Sequence, residues 1–261
     1  VSKLRIETVG RTFPGVHGGP PTEALQPTTF AVADNDFITI LGPSGCGKST
    51  LLRIVAGLDR PSTGHVFLDG SPVTGPGVER GMVFQSYTLF PWLTVEQNIR
   101  FGLREKGMPA AEQQAIAAHY IARVGLGGFE HHYPKMLSGG MQQRTAIARA
   151  LANGPKILLL DEPFGALDNQ TRGLMQELLL GIWEAERKTV LFVTHDIEEA
   201  IFMAGRVLVM SARPGRIKAE VAVDLPHPRH YTLKTTPEFS ALKARLTEEI
   251  RVEALRAAAT A

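Results

Sequence analysis

Gly42-Pro43-Ser44-Gly45-Cys46-Gly47-Lys48-Ser49-Thr50 is the stretch that decides how the rest of the chain is read. The apolar run Phe37-Ile38-Thr39-Ile40-Leu41 precedes it and reads as a buried strand, and Leu51-Leu52-Arg53-Ile54-Val55-Ala56 follows it and reads as a helix. Strand, glycine-rich loop and helix together are the setting a phosphate loop needs. The glycines let successive backbone N–H groups turn inward around an anion, and the helix adds the positive end of its dipole. In the pattern GxxxxGK[ST], Lys48 reaches the terminal phosphates and the Ser49 hydroxyl ligates Mg²⁺.

Working outward, Leu4 to Val9 alternates as a strand and is expected to end at Gly10-Arg11-Thr12-Phe13, before a Pro/Gly loop from Pro14 to Pro21. Phe30–Val32 and Phe37–Leu41 are expected as strands around the turn Asp34-Asn35-Asp36, and His65–Gly70 as a short strand entering a turn. Gly81–Gln85 is a further apolar strand ending on a polar residue. From about Ser86 to Asn153 the chain reads as an all-helical insertion. Thr94 and Gln97 are spaced for a capping box, and Ala110–Val124 is helical with Gly125 as its stop.

Strands then alternate with helices. Ile157–Glu162 is apolar until its two carboxylates, a helix runs from about Gln170 to Glu186, Thr189–His195 is a strand, Ile197–Met203 a helix and Val207–Met210 a strand. Strands apolar enough to be buried on both faces imply a parallel sheet, hence an α/β fold of the phosphate-loop class. A Pro/His-rich linker, Asp224–His230, leads to a helix opened by Pro237 in which Phe239, Leu242, Leu246 and Ile250 share a face that docks on the chain's own core.

Composition bounds the reading. The 261 residues carry 28 Lys and Arg against 26 Asp and Glu, a net charge of +2, so no strong field recruits nucleic acid. Cys46 is the one cysteine, which excludes an intramolecular disulfide and suits a reducing compartment. No apolar run approaches the ~18 residues of a membrane span, and the first residues lack a signal-peptide core, so a cytoplasmic chain is expected. At a helix N-terminus Cys46 is also expected to be thiolate-prone, and alkylation to inactivate the protein.

Four further sites join the loop. Asp161 can hold Mg²⁺ through water, and Glu162 beside it can orient and deprotonate an attacking water. Gln85 and His195 each end an apolar strand, at the sheet edge where open α/β folds bind ligands, and are candidates for γ-phosphate and water contacts. Leu137-Ser138-Gly139-Gly140-Met141-Gln142-Gln143-Arg144 opens a helix that Ser138 caps, its glycines exposing N–H groups to an anion.

In this chain order the loop, Gln85, Ser138-Gly139-Gly140, Asp161-Glu162 and His195 resemble the ATP-binding cassette family over nearly the whole chain. The resemblance implies a RecA-like P-loop NTPase core with a small antiparallel β subdomain (1–85 and 154–215), an inserted α-helical signature subdomain (86–153) and a C-terminal linker and helix (216–261), forming one cassette domain. It implies ATP and Mg²⁺ as cofactors, Phe13 stacked on adenine, Gly42 to Thr50 as the Walker A loop, Gln85 as the Q-loop residue and Asp161-Glu162 as the Walker B pair. Ser138, Gly139 and Gly140 would contact the γ-phosphate of ATP held by an opposite subunit. Gly165-Ala166-Leu167-Asp168 would be the D-loop and His195 the switch histidine. Met141 departs from the glutamine of the LSGGQ pattern and Gly165 from the usual D-loop serine, which touches the fine tuning of the interface rather than hydrolysis.

Ser211-Ala212-Arg213-Pro214-Gly215-Arg216-Ile217, Asp224-Leu225-Pro226-His227-Pro228-Arg229 and Phe90-Pro91-Trp92-Leu93 look like the ATPases of importers for nitrate, sulfonate, taurine and related anions; the alternative is that the arginines merely solvate a linker. The resemblance then implies a second cassette (identical or a close paralogue), membrane permease subunits, an extracytoplasmic solute-binding protein and a place on the cytoplasmic face of the inner membrane. Tyr87, Phe90, Trp92 and Leu93 are candidates for the permease groove, with a self-contained cluster as the rival. An importer for another solute, such as bicarbonate or a heterocyclic nutrient, an exporter, or a soluble cassette ATPase without a permease, is the competing function; a GTPase is disfavoured because no NKxD string occurs.

Overall fold

The computed structural model describes residues 2–15 and 19–259. In chain order the elements are β1 (Ser2–Phe13), β2 (Thr22–Ala33), β3 (Phe37–Leu41), α1 (Lys48–Ala56), β4 (Thr63–Leu68), β5 (Ser71–Pro72), β6 (Arg80–Val83), α2 (Val95–Glu105), α3 (Ala110–Arg123), α4 (Gly139–Ala152), β7 (Ile157–Asp161), α5 (Asn169–Glu186), β8 (Thr189–Thr194), α6 (Ile197–Met203), β9 (Arg206–Met210), β10 (Ile217–Ala222) and α7 (Pro237–Ala259). They fall into two compact units, residues 1–77 with 187–261, and residues 78–186.

The first unit holds an antiparallel sheet in the order β2-β1-β4-β5 and a second set of strands in the order β10-β9-β3-β8. In the second set β3 lies parallel to β8 and β9, with Leu41 paired to Thr194 and to Val209. All five residues of β3 and all six of β8 are buried, as expected of strands covered on both faces. Helix α1 opens at Gly47, φ 101°, and stops at Gly57, φ 78°, a left-handed glycine whose N–H donates back to the Ile54 carbonyl. Helix α7 packs on α6 and β9. Phe239 and Leu246 are buried and Leu242 and Ile250 half-buried, so the expected face is the docking face.

The second unit pairs β6 with β7 in parallel, Val83 opposite Leu160, and carries α2, α3, α4 and α5. The expected capping box is present: the Gln97 N–H donates to Thr94 Oγ1 at 3.3 Å, and the Thr94 N–H donates to Gln97 Oε1 at 3.0 Å. Asn98, fully buried, donates its side-chain amide to the carbonyls of Phe90, Leu93 and Thr94 and so fastens the preceding turn to α2.

Four readings are corrected by the structure, and residues 16–18 of the expected Pro14–Pro21 loop lie outside the described residues. Strand β1 does not end at Gly10–Phe13 but runs through it, and β2 starts at Thr22 rather than Phe30. The pair absorbs Pro27 in a register shift between Val9 and Arg11, where Gly10 fits because a Cβ there would lie 2.6 Å from Thr63 Oγ1. Strand β10 lies in the tail, where no strand was expected, antiparallel to β9. Arg229 does not solvate a linker: it is buried and donates to the carbonyls of Ile201, Phe202 and Ala204, which caps the end of α6.

Candidate active site

In the first unit the loop from Gly42 to Thr50 leaves the end of β3. Gly45 (φ 74°) and Gly47 (φ 101°) hold the left-handed backbone that turns it. Lys48, buried, donates from Nζ to the carbonyls of Gly42 (2.8 Å) and Pro43 (2.9 Å), so its ammonium is already folded into the loop. Ser44 and Gly45 are exposed, Ser49 and Thr50 half-buried. His195 follows β8, the parallel neighbour of β3, so it leaves the same strand ends as the loop. It is exposed, and Asp196 after it caps α6 by accepting the Glu199 N–H at 2.9 Å. Phe13 is half-buried with the Arg11 guanidinium carbon 4.4 Å from its ring centre, and Arg11 is held by Asp59 at 2.8 Å.

Cys46 differs from expectation. Its side chain is 1% exposed, and a Cβ on Gly42 would lie 2.9 Å from its sulfur, so the thiol is packed inside the fold. A helix N-terminus stabilises a thiolate, but a reagent needs access, which this packing denies.

In the second unit Gln85 and the Asp161-Glu162 pair leave the adjacent parallel strands β6 and β7 at the same end. Gln85 is exposed, Asp161 buried and Glu162 half-buried. Glu162 has φ 43°, a left-handed conformation that a residue with a β-carbon adopts only under constraint. The Gly165 N–H donates to the Glu162 carbonyl at 3.2 Å. A Cβ on Gly165 would make only ordinary contacts, so nothing in the structure explains glycine in place of serine there. Asp168 caps α5, accepting the N–H groups of Gln170 (3.1 Å) and Thr171 (3.0 Å); that bond to Thr171 is the main cause of a carboxyl pKa below its usual value.

Ser138 caps α4 as expected, its Oγ accepting the Met141 N–H at 3.3 Å. The two glycines after it are sites of close approach: a Cβ on Gly139 would lie 3.0 Å from the Tyr87 hydroxyl, and one on Gly140 would lie 2.7 Å from Thr171 Cγ2. Tyr87, expected at a permease groove, thus sits against the signature turn. Arg149 of α4 was not foreseen. It donates to the Thr88 carbonyl at 2.9 Å and lies over the Phe90 ring, tying the signature helix to the loop after Gln85; burial pushes its pKa down. Trp92, 70% exposed, stands out from that loop.

Parallel strands that deliver a glycine-rich loop and its lysine to their C-terminal ends define a P-loop nucleoside triphosphatase. A family model described as ABC transporter matches residues 25–165, and the chain belongs to that family. The chain is 52% identical to an uncharacterised ABC transporter ATP-binding protein, MJ0412, of Methanocaldococcus jannaschii (97% of this chain, 93% of the relative). It is 48% identical to the nitrate import ATP-binding protein NrtD of Synechocystis (94% and 97%) and 47% identical to the aliphatic sulfonates import ATP-binding protein SsuB of Bacillus cereus (87% and 88%). Among solved structures, the dimeric post-hydrolysis state of the ATP-binding cassette MJ0796 bound to ADP and Pi matches with a TM-score of 0.75 at 33% identity, over 85% of this chain and 100% of that one. The protein is an ABC-type ATPase subunit with the mixed α/β fold of that cassette, and no helix among its described residues is long and apolar enough to cross a membrane.

Proposed function

We propose that this chain powers a membrane importer for a small anion such as nitrate, a sulfonate or taurine. The supporting observation is the loop with Lys48 already drawn into it, in a chain whose likeness to the nitrate and sulfonate import subunits covers 94% and 87% of its length. Backbone N–H groups from Gly42 to Thr50 and the Lys48 ammonium hold the phosphates of ATP, and Phe13 packs on its adenine. The hydroxyl of Ser49, the amide oxygen of Gln85 and the carboxylate of Asp161 are hard oxygen donors, the set that suits Mg²⁺. When bound, the ion neutralises charge on the β- and γ-phosphate oxygens.

Glu162 accepts a proton from the attacking water, whose oxygen bonds to the γ-phosphorus as the bond to the β–γ bridging oxygen breaks, giving ADP and phosphate. Gln85 and His195 orient that water and the γ-phosphate. Ser138, Gly139 and Gly140 of a second cassette, identical or a close paralogue, close over each ATP in a head-to-tail dimer. Functionally the chain divides into a core with its β subdomain (1–85 and 154–215), a helical signature subdomain (86–153) and a C-terminal linker and helix (216–261). Phe90, Trp92 and Leu93 meet the permease, which holds the dimer at the cytoplasmic face of the membrane and receives solute from an external binding protein. Nucleic acid is not a partner, since the net charge of +2 supplies no basic field.

Proteoliposomes containing the chain and its cognate permease, loaded with MgATP and supplied with the solute-binding protein outside, test the proposal. ATP-dependent uptake of labelled nitrate, taurine or an alkanesulfonate is expected, and Glu162→Gln abolishes it. An ATPase rate indifferent to the permease, with no uptake of any of the three, would refute it.

A further inference from the structure

The stretch Ser211 to Ile217 lies against the phosphate loop on one side and is tied to the last helix on the other. Gly215 leaves no room for a side chain: a Cβ there would sit 1.9 Å from the Cys46 carbonyl oxygen. Its N–H donates to the Ala24 carbonyl at 3.1 Å and its own carbonyl accepts the Gln26 N–H at 2.8 Å, which sets the turn between β2 and the loop. Arg213 Nε donates to the Gly45 carbonyl at 3.1 Å. Gly42, at the loop's start, is confined by the strand that leads into this segment, since a Cβ there would lie 3.0 Å from Met210 Cβ at the end of β9. The turn is closed on itself through Ser211, whose Oγ accepts the Arg216 N–H at 3.0 Å and donates to the Pro214 carbonyl at 3.2 Å.

On the far side, the Ala212 N–H donates to Glu253 Oε2 at 2.8 Å. Lys218 donates to Glu253 Oε1 at 3.1 Å and pairs with Glu249 at 2.8 Å. Glu253 is 1% exposed, although it belongs to the last turns of α7. Burial pushes its pKa up, but the Ala212 N–H and the Lys218 ammonium outweigh burial and hold the carboxyl below its ordinary value. A carboxylate is kept in such a place only by partners of this kind.

The link to phosphate binding follows from the geometry of the peptide plane. In a trans peptide the C=O of one residue and the N–H of the next point in opposite directions. Fixing the Gly45 carbonyl with Arg213 therefore aims the Cys46 N–H the other way, and pressing Gly215 on the Cys46 carbonyl does the same for the Gly47 N–H. We propose that Glu253 and Arg213 are positioning residues for ATP binding: α7 holds the Ser211–Ile217 turn through Glu253, and the turn holds the phosphate loop in its anion-binding shape through Arg213 and Gly215. The inference rests on the reading of Gly42 to Thr50 as the ATP phosphate site.

The test is equilibrium titration of the full chain with a fluorescent ATP analogue in the presence of Mg²⁺, alongside the single-turnover rate at saturation. Arg213→Ala and Glu253→Gln are each expected to raise the Kd about tenfold, in line with loss of one hydrogen bond to a charged group, with the turnover rate of bound nucleotide within about twofold. Arg213→Lys recovers most of the affinity because its amine still donates to the carbonyl. The double variant is no weaker than about twice the worse single one, because both act through one turn. Arg213 is exposed, so its alanine variant keeps the parent's thermal midpoint and its affinity is read on a folded protein. An unchanged Kd in Arg213→Ala, or multiplying losses in the double variant, overturns the inference while Lys48→Ala abolishes binding. Retained binding in Lys48→Ala instead overturns the phosphate-site reading beneath it, and the inference with it.

Discussion

Glu162 offers a way to separate backbone strain from chemistry at a single position. Its φ of 43° costs an L-residue with a β-carbon about 1–2 kcal/mol. Glu162→Ala removes the carboxylate but keeps the β-carbon and so keeps the strain. Glu162→Gly releases it and gives back about 0.5–1 kcal/mol through the greater freedom of glycine in the unfolded chain. The glycine variant is therefore expected to be more stable than the alanine variant by about 0.5–1 kcal/mol, roughly 1–3 °C in Tm for a chain of this size. Glu162→Gln leaves the backbone alone and keeps the parent Tm, yet its phosphate release at saturating MgATP falls about 10²- to 10⁴-fold, the range for loss of a general base. Thermal unfolding without nucleotide and a phosphate-release assay read the two effects independently. A glycine variant no more stable than the alanine one would refute the strain argument, and parent-level turnover in Glu162→Gln would remove Glu162 from its role as base.

Cys46, sealed behind Gly42 and Met210, is expected to react with iodoacetamide at least about 100-fold slower in the native protein than in guanidinium chloride, since only the exposed thiolate is nucleophilic; equal rates would refute its packing. Tyr120 has a phenol pushed up to about 12, by burial first and then by the charge of Glu186, to which it donates at 3.3 Å. A folded-state pKa raised above the unfolded value of 10.0 means stability that is intact below pH 10 and lost as pH rises through about 12. Urea midpoints of Tyr120→Phe should therefore stay flatter than the parent's across that window, and an identical decline would sink the assignment. Arg229→Ala is expected to lose about 2–3 kcal/mol in urea unfolding, because it strips a charged donor from three carbonyls at the end of α6; a loss under about 0.5 kcal/mol would show that the cap carries no weight.

What could be read from the sequence was local. The phosphate loop packs its glycines, its lysine and the start of its helix into nine residues, and the capping box on α2 needs only Thr94 and Gln97, so spacing alone exposes both. The lengths of β1 and β2 were hidden because Gly10 and Pro27 each break a strand pattern taken alone. Only the pairing reveals that they face each other across one register shift. Strand β10 was missed for a related reason: of its six residues only Val221 is buried, so it carries too little apolar alternation to announce itself away from β9. The left-handed backbone of Glu162 leaves no mark in the sequence at all, since nothing about a glutamate after an aspartate reports φ.

The string around Arg213 was legible as a mark of kinship but not as a structural part, because its contact to Gly45 spans 168 residues of chain. Cys46 shows the same limit from the other side. Its thiol was the conspicuous chemical signal in the loop, yet the structure puts the sulfur against Met210's neighbourhood and presents the Cys46 carbonyl to Gly215. A loop that binds anions through backbone N–H groups uses its side chains mainly to hold those groups in direction. Reactivity is then the wrong property to read at position 46; what the site asks there is a small apolar side chain that fills the space behind the peptide.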